Sequence, residues 1–305
     1  MRALIVSNPT AGRHAQDTLR EALARHFTGA GIAYEVLETQ PAERVGERVR
    51  LRLREGFDLV VAAGGDGTVS AVIDGLLEAS VPLGIVPMGT GNLLARELDI
   101  PHEIEEAVAM LAGASRQQRI DVMRINDRSY VLNAGIGILA AVVGGTSRRE
   151  KRIWGPLAYW GAAVRKTLGV KPRHILVVVD GQAQKHWAVD ATVLNGGMLA
   201  RIIYPNGPKI RLDDGHLDLW IMRMRTLLDY PRYLLSVFSG RPASSLAWHA
   251  RAFRRVEIRC HHPMVVQADG DVIGITPLTV DLLPGAVTVL VPTPLRNPGL
   301  SDQIS

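Results

Sequence analysis

Residues 57–79, FDLVVAAGGDGTVSAVIDGLLEA, carry the fold class of this chain. FDLVVAA is a short β-branched apolar run, and Val69, Val72, Ile73, Leu76 and Leu77 recur behind it at helical spacing. A strand therefore enters a helix through a turn built of Gly64, Gly65, Asp66, Gly67 and Thr68. The glycines can take positive φ and admit a ligand close to the backbone, while the first free N–H groups of the helix point at the turn. That geometry suits an anion. A bare carboxylate would repel a phosphate there, so Asp66 makes sense if it holds Mg²⁺, orders metal-bound water, or accepts a proton or a hydroxyl hydrogen bond. A tight Asx-type turn is the other reading of the same residue.

Outward from this stretch, the first part of the chain alternates strand and helix patterns: RALIVSN, DTLREALARHF, AYEVLET, ERVGERVRLRLRE, then PLGIVPM, NLLARELDI and IEEAVAMLAG. Such alternation predicts a parallel, Rossmann-like sheet with crossover helices, whose ligands bind beyond the carboxyl ends of the strands. Three loops fall on that edge: Asn8, Pro9, Thr10, Ala11 and Gly12; the turn from Gly64 to Thr68; and Gly89, Thr90, Gly91 and Asn92. Together they read as a phosphate cradle. From about residue 125 the texture changes to strands, SYVLNAGIG, HILVVVDG, WAVDATVLNGG, LDLWIMR, RVEIRCHH, MVVQADGD, LTVDLL and VTVLVP, with helices expected over 155–168 and 226–239. A β-sandwich is predicted there. The expected domains are 1–125, α/β and nucleotide-binding, and 126–305, a sandwich whose last strand can return to the first domain.

With 305 residues the chain exceeds the usual size of a single core, and 47% hydrophobic against 21% charged residues is a globular composition. Met1 to Val6 runs into NPTAG without a signal-peptide pattern, and the apolar stretch 134–145 is short of the roughly 20 residues a spanning helix needs. A cytoplasmic protein is expected. The lone Cys260 makes no internal disulfide, and its neighbours His261 and His262 read as strand surroundings rather than a zinc site. A net charge of +5 favours an acidic partner, phosphate, nucleic acid or anionic membrane, but no nucleic-acid-binding motif accompanies it.

Taken in order and spacing, NPTAG, GGDGT, PMGTGN, DDGHLD and QADGD resemble the diacylglycerol kinase catalytic-domain family, soluble bacterial lipid kinases related to sphingosine kinases. The resemblance implies an ATP-binding α/β domain, a β-sandwich domain and an active site in the cleft between them. It implies that Asn8, Gly12, Gly65, Asp66, Gly67, Thr68 and Thr90 contact ATP or its metal, with Thr39 near the nucleotide. Asp214 matches a family Mg²⁺ ligand, assisted by backbone carbonyls at Arg211 and His216, where a simple DDG turn is the alternative. Asp269 and Asp271 match the family's DGE pair, Asp271 standing in for Glu as proton acceptor and Asp269 as its partner. Two apart on an extended segment, they would face one side; a plain hairpin turn is the alternative.

One departure bears on the acceptor: Leu93 follows Asn92 where many bacterial members carry Asp. The implied reaction is ATP- and Mg²⁺-dependent phosphorylation of a lipid hydroxyl, with diacylglycerol first and a sphingoid base or other lipid alcohol next. A kinase of a soluble metabolite such as NAD and a non-catalytic nucleotide-binding protein are the competing readings. Residues 147–166, SRREKRIWGPLAYWGAAVRK, suit either an anionic membrane surface or a core-packing helix. The expected partners are ATP, a lipid alcohol and the membrane surface, without nucleic acid; a homodimer is open.

Overall fold

The computed structural model describes residues 1–40, 43–138, 171–203, 208–224 and 245–293, together with the single positions 226, 229, 232, 233 and 235. The segment 147–166 and the helix expected over 155–168 lie outside the described residues, as does most of 226–239. Two compact units are present: Met1–Arg119 with the segment from Val287, and Ile120–Ala286.

In the first unit the order is β1 (Arg2–Ser7), α1 (Arg13–Gly29), β2 (Ala33–Glu38), α2 (Val45–Leu53), β3 (Leu59–Gly64), α3 (Asp66–Leu76), β4 (Leu83–Pro87), α4 (Leu93–Glu97) and α5 (Ile104–Ala112). The strands pair in parallel in the order β2-β1-β3-β4. Every residue of β3 and β4 is buried, which is why they read as unbroken apolar runs. Helices cover this sheet through one face each: α1 buries Leu19, Ala22, Leu23 and Phe27, spaced by three and four residues. The sheet order places the loops after β1, β3 and β4 side by side at the carboxyl edge.

The second unit is antiparallel. It contains most of β5 (Ser115–Ile125), then β6 (Arg128–Tyr130), β7 (Asn133–Gly137), β8 (Arg173–Val179), β9 (Gln182–Ala188), β10 (Asp190–Leu194), α6 (Gly197–Ile203), β11 (Leu217–Met222), β12 (Ala247–Ala252), β13 (Arg255–Cys260), β14 (Val265–Ala268), β15 (Asp271–Ile275) and the first part of β16 (Leu278–Pro292). One sheet runs β12-β11-β10-β7-β14-β15, and β16-β13-β8-β9 run through the other. Ile136, Val193, Leu219 and Ile221 from the first meet Ile175, Val177, Val256, Ile258 and Val280 from the second in one buried cluster. This is the expected sandwich.

Three details differ from the sequence reading. LTVDLL and VTVLVP form the single strand β16, which continues through Pro284 and a Gly285 at φ +51. Its start pairs with β13, while Val289 pairs with Leu83 of β4 in the first unit. Second, β9, β12 and β15 are strands that the sequence reading does not set apart: β9 and β12 are outer strands carrying polar residues, as in QAQKHWA, and β15, DVIGI, is a short outer strand interrupted by Gly274. Third, Asp269 does not lie on an extended segment: Ala268 pairs with Asp271, and Asp269-Gly270, at φ +45 and +91, form the two-residue turn between β14 and β15. Both positive φ values are those of a type I′ hairpin. Asp269 and Asp271 therefore do not share one side of a strand.

Candidate active site

The site in the first unit is assembled from three loop ends. After β1, Asn8 caps the short 3-10 turn Pro9–Ala11, accepting from the Thr10 amide at 3.0 Å and the Thr10 hydroxyl at 2.8 Å. Its amide group reaches Thr68 Oγ1 at 3.4 Å, and its backbone N–H donates to the Ala63 carbonyl at 3.1 Å. The first loop is thus tied to the second. Gly12, at φ +95, then opens α1, and the Thr39 amide donates to Ser7 at 2.9 Å, which sets Thr39 beside the same strand end.

The second and third loops touch backbone to backbone. Gly65 caps α3, and a methyl group added at Gly89 would come within 2.5 Å of the Gly65 Cα. Only glycine permits that approach. Asn92, in the left-handed region at φ +49, folds its side chain back so that Oδ1 accepts from the Gly89 amide at 2.9 Å and Nδ2 donates to the Gly89 carbonyl at 2.8 Å. Thr90 and Gly91 are left exposed at the tip. Asn92 is a site-shaping residue that its motif position contained but did not single out.

Asp66 joins the two loops. Its Oδ1 accepts the Leu93 amide at 2.6 Å, and the amides of Leu94 and Asn92 add to the hold. Helix α4, whose own N-cap side chain points elsewhere, is capped from a distance by this carboxylate. Burial nevertheless pushes the Asp66 carboxyl above its ordinary value, outweighing the amides that pull it down. An anion held part-desolvated beside a glycine cradle is arranged to meet a cation. Of the residues expected here, Asn8, Gly64, Gly65, Asp66, Gly67, Thr68 and the 89–92 loop are brought together, with Thr39 next to Ser7.

The second unit holds the other two motifs. Asp269 is gripped: its carboxylate accepts the amides of Val131 at 2.7 Å and of Leu132 and Asn133 at 2.9 Å. The hairpin between β8 and β9 repeats the device, with Asp180-Gly181 at φ +47 and +88 and the Asp180 carboxylate taking the amides of Phe253, Arg254 and Arg255. Asp269 is therefore a clamp on residues 131–133. Asp271 stands exposed at the start of β15, and no hydrogen bond from the described residues reaches its carboxylate.

Asp214 is half-buried, and burial raises its carboxyl against the Arg211 and His216 amides that it accepts at 3.1 and 3.4 Å. Its loop is fixed from behind by Asp121, a buried carboxylate that accepts Gly215 N–H at 2.7 Å and Gly285 N–H at 2.6 Å. Asn195 in turn donates to the carbonyls of Asp121 and Val131. One polar chain thus links the clamp under Asp269 to the loop of Asp214. The sequence signal for Asp121 was a carboxylate inside the apolar run RIDVMRI. Donor atoms of Asp214, His216 and Asp218 lie within 4.8 Å of one another, and Asp218 Oδ2 is buried without a hydrogen-bond partner among the described residues. This donor set fits a divalent cation.

A parallel-sheet unit with an anion cradle around a carboxylate, in a chain that also carries an antiparallel sandwich, is the arrangement of a nucleotide-dependent phosphotransferase. Residues 2–125 match the model of the diacylglycerol kinase catalytic domain, and residues 132–291 match that of the YegS C-terminal NAD kinase beta sandwich-like domain. The diacylglycerol kinase of Bacillus subtilis (strain 168) is 28% identical over 90% of this chain and 91% of its own. That of Staphylococcus saprophyticus is 26% identical over 99% of both. A crystal structure from Bacillus anthracis str. Sterne superimposes with a TM-score of 0.76 at 25% identity, covering 96% of this chain and 95% of that one. The chain belongs to the diacylglycerol kinase catalytic-domain family and is a lipid kinase. No helix among the described residues is long and apolar enough to cross a membrane.

Proposed function

We propose that the protein transfers the γ-phosphoryl group of Mg-ATP to the free hydroxyl of diacylglycerol, giving phosphatidic acid and ADP. The observation that carries this reading is the Asp66 carboxylate, part-buried and lodged between two glycine loops at the carboxyl edge of the parallel strands. In such a place the amides of the α3 turn and the Asn8–Gly12 loop hold phosphate oxygens, and positioning supplies most of the rate. Asp66 would hold Mg²⁺, which would supply positive charge to neutralise those oxygens. Asp271 is assigned as proton acceptor: its carboxylate is exposed, whereas the Asp269 oxygens are occupied by three amides. As the acceptor oxygen bonds to the γ-phosphorus, its proton passes to Asp271 and the bond to the ADP oxygen breaks.

Diacylglycerol is favoured as acceptor because the aligned bacterial relatives carry that name; a sphingoid base is next. Contact with an anionic membrane surface belongs to the same proposal, supported by the net charge of +5. The test is transfer from labelled Mg-ATP to diacylglycerol, sphingosine and ceramide in mixed micelles, with NAD as soluble control and Asp66→Asn as blank. Asp66-dependent labelling of diacylglycerol is expected. Labelling of NAD alone would discard the lipid reading, and labelling of sphingosine alone would move the acceptor.

A further inference from the structure

We propose that the β14–β15 hairpin is the surface by which this protein rests on a lipid layer, with Val265, Val272 and Ile275 set between the headgroups and the start of the acyl chains. This surface presupposes the lipid-kinase reading and names the face that meets the substrate. Ile275, Val272 and Val265 are 62%, 52% and 46% exposed on an outer strand and its neighbour. The strand register explains why they gather. Val265 lies opposite Ile275, Val266 opposite Gly274, and Gln267 opposite Val272, so Ile273 is an extra residue, a bulge that shifts the alternation of β15 by one. Ile273 packs against the sandwich core with Val266, while Val272 and Ile275, three apart, share the outer face with Val265. Directly opposed side chains on one face approach to about 5 Å, and the next pair along lies about 7 Å away, so the three form one patch.

A lipid surface fits this patch better than a second protein chain. Three aliphatic side chains fall far short of the roughly 800 Å² per partner that a stable protein interface buries. They suit shallow entry into a lipid boundary, where the open edge of β15 keeps headgroups and water as hydrogen-bond partners. No charged side chain stands between Val272 and Thr276, and β15 carries neither the lysine nor the proline that usually protects a strand edge. Its one charge, Asp271, sits at the turn end beside Val272. A lipid hydroxyl that reaches Asp271 therefore leaves its acyl chains next to Val272, and the strand continues about 13 Å from Asp271 to Ile275 along the same layer. The apolar patch and the assigned proton acceptor are thus continuous.

The experiment is co-sedimentation of the full-length protein with phosphatidylcholine vesicles containing phosphatidylglycerol, at low and high salt and without ATP, beside hydrogen exchange of the wild type with and without vesicles. Binding that high salt weakens without abolishing is expected, with exchange slowed at 271–275 and unchanged in β12. The triple variant Val265→Ser, Val272→Ser, Ile275→Ser should bind about ten- to a hundredfold more weakly. Phe253→Ser, equally exposed but following β12 at the opposite edge of the same sheet, should bind as the wild type does. In transfer assays the triple variant should raise the KM for long-chain diacylglycerol in vesicles by a similar factor and leave kcat and the KM for ATP unchanged. Binding is read without ATP, so the two readings fail separately: a protein that docks through the patch yet phosphorylates no diacylglycerol sinks only the acceptor reading, and one that phosphorylates it while the triple variant docks normally sinks only this surface. Absence of vesicle binding, wild-type binding by the triple variant, or a wild-type dimer that the triple variant turns into a monomer would each overturn the proposal. The exchange measurement needs no variant to fold.

Discussion

The Asp66 carboxylate accepts the Leu93 amide proton at 2.6 Å, across two loops that are 27 residues apart in sequence. One side chain both caps α4 and presents a negative charge to the glycine cradle. Asp66→Asn keeps a carbonyl oxygen for the Leu93 amide, so the fold is expected to survive, while transfer falls on the order of a thousandfold. Asp66→Ala removes the cap as well and should cost about 1 kcal/mol of stability. Chemical denaturation beside the labelled-ATP assay checks both; undiminished transfer in Asp66→Asn would remove Asp66 from the chemistry.

The same residue predicts a pH dependence. Burial raises its folded-state pKa above the ordinary value of 3.8, so the folded chain holds this proton more tightly than the unfolded chain does. The favourable contribution is present below 3.8 and is lost as pH rises through the folded value. Asp66→Asn lacks this loss. Without ligands, the variant should therefore gain stability relative to the parent as pH is raised from about 4 toward neutrality. Parallel unfolding curves at all pH values would contradict the burial argument.

Asp269 and Asp271 are expected to separate structure from chemistry. Asp269→Asn gives up a charged acceptor of three backbone amides and should lose about 1–3 kcal/mol. Asp271→Asn, at an exposed carboxylate, should stay within about 0.5 kcal/mol of the parent yet lose roughly a hundred- to ten-thousandfold in transfer. Nucleotide affinity should hold in both.

Asp180 supplies the control, since it makes the same three-amide clamp on the β8–β9 turn. Three amides hold its carboxyl below the ordinary value despite some desolvation. Its stabilising contribution is present above the unfolded value of 3.8 and is lost as pH falls through the folded one. Asp180→Asn should lower the melting temperature at neutral pH, lose that deficit in acid, and leave the specific activity of the folded protein unchanged.

Gly89→Ala tests the closeness of the cradle loops. Its methyl would sit 2.5 Å from the Gly65 Cα, with backbone on the other side that cannot rotate away. A loss of about 1–3 kcal/mol and a weaker grip on ATP are expected. Wild-type nucleotide affinity would show that the loops can part without consequence.

Much of this molecule was legible locally. Unbroken apolar runs gave β3 and β4 because both faces of a parallel sheet are covered, and glycine clusters marked the loops because only they permit the close backbone approach at Gly65 and Gly89. The outer strands β9 and β12 were not legible, since a strand with one solvated face and one open edge loses the apolar signature, and the short β15 keeps Val272 and Ile275 exposed on either side of Gly274. Nor were the partners of the carboxylates. The grip of Asp269 on Val131, of Asp121 on Gly215 and Gly285, and of Asp218 on His249 spans from 31 to 164 residues of sequence. Residue type and spacing determined which groups could bind phosphate, metal or proton. Tertiary structure decided which of their oxygens are already occupied by amides and which remain available, because a hydrogen-bond acceptor is satisfied by neighbours in space.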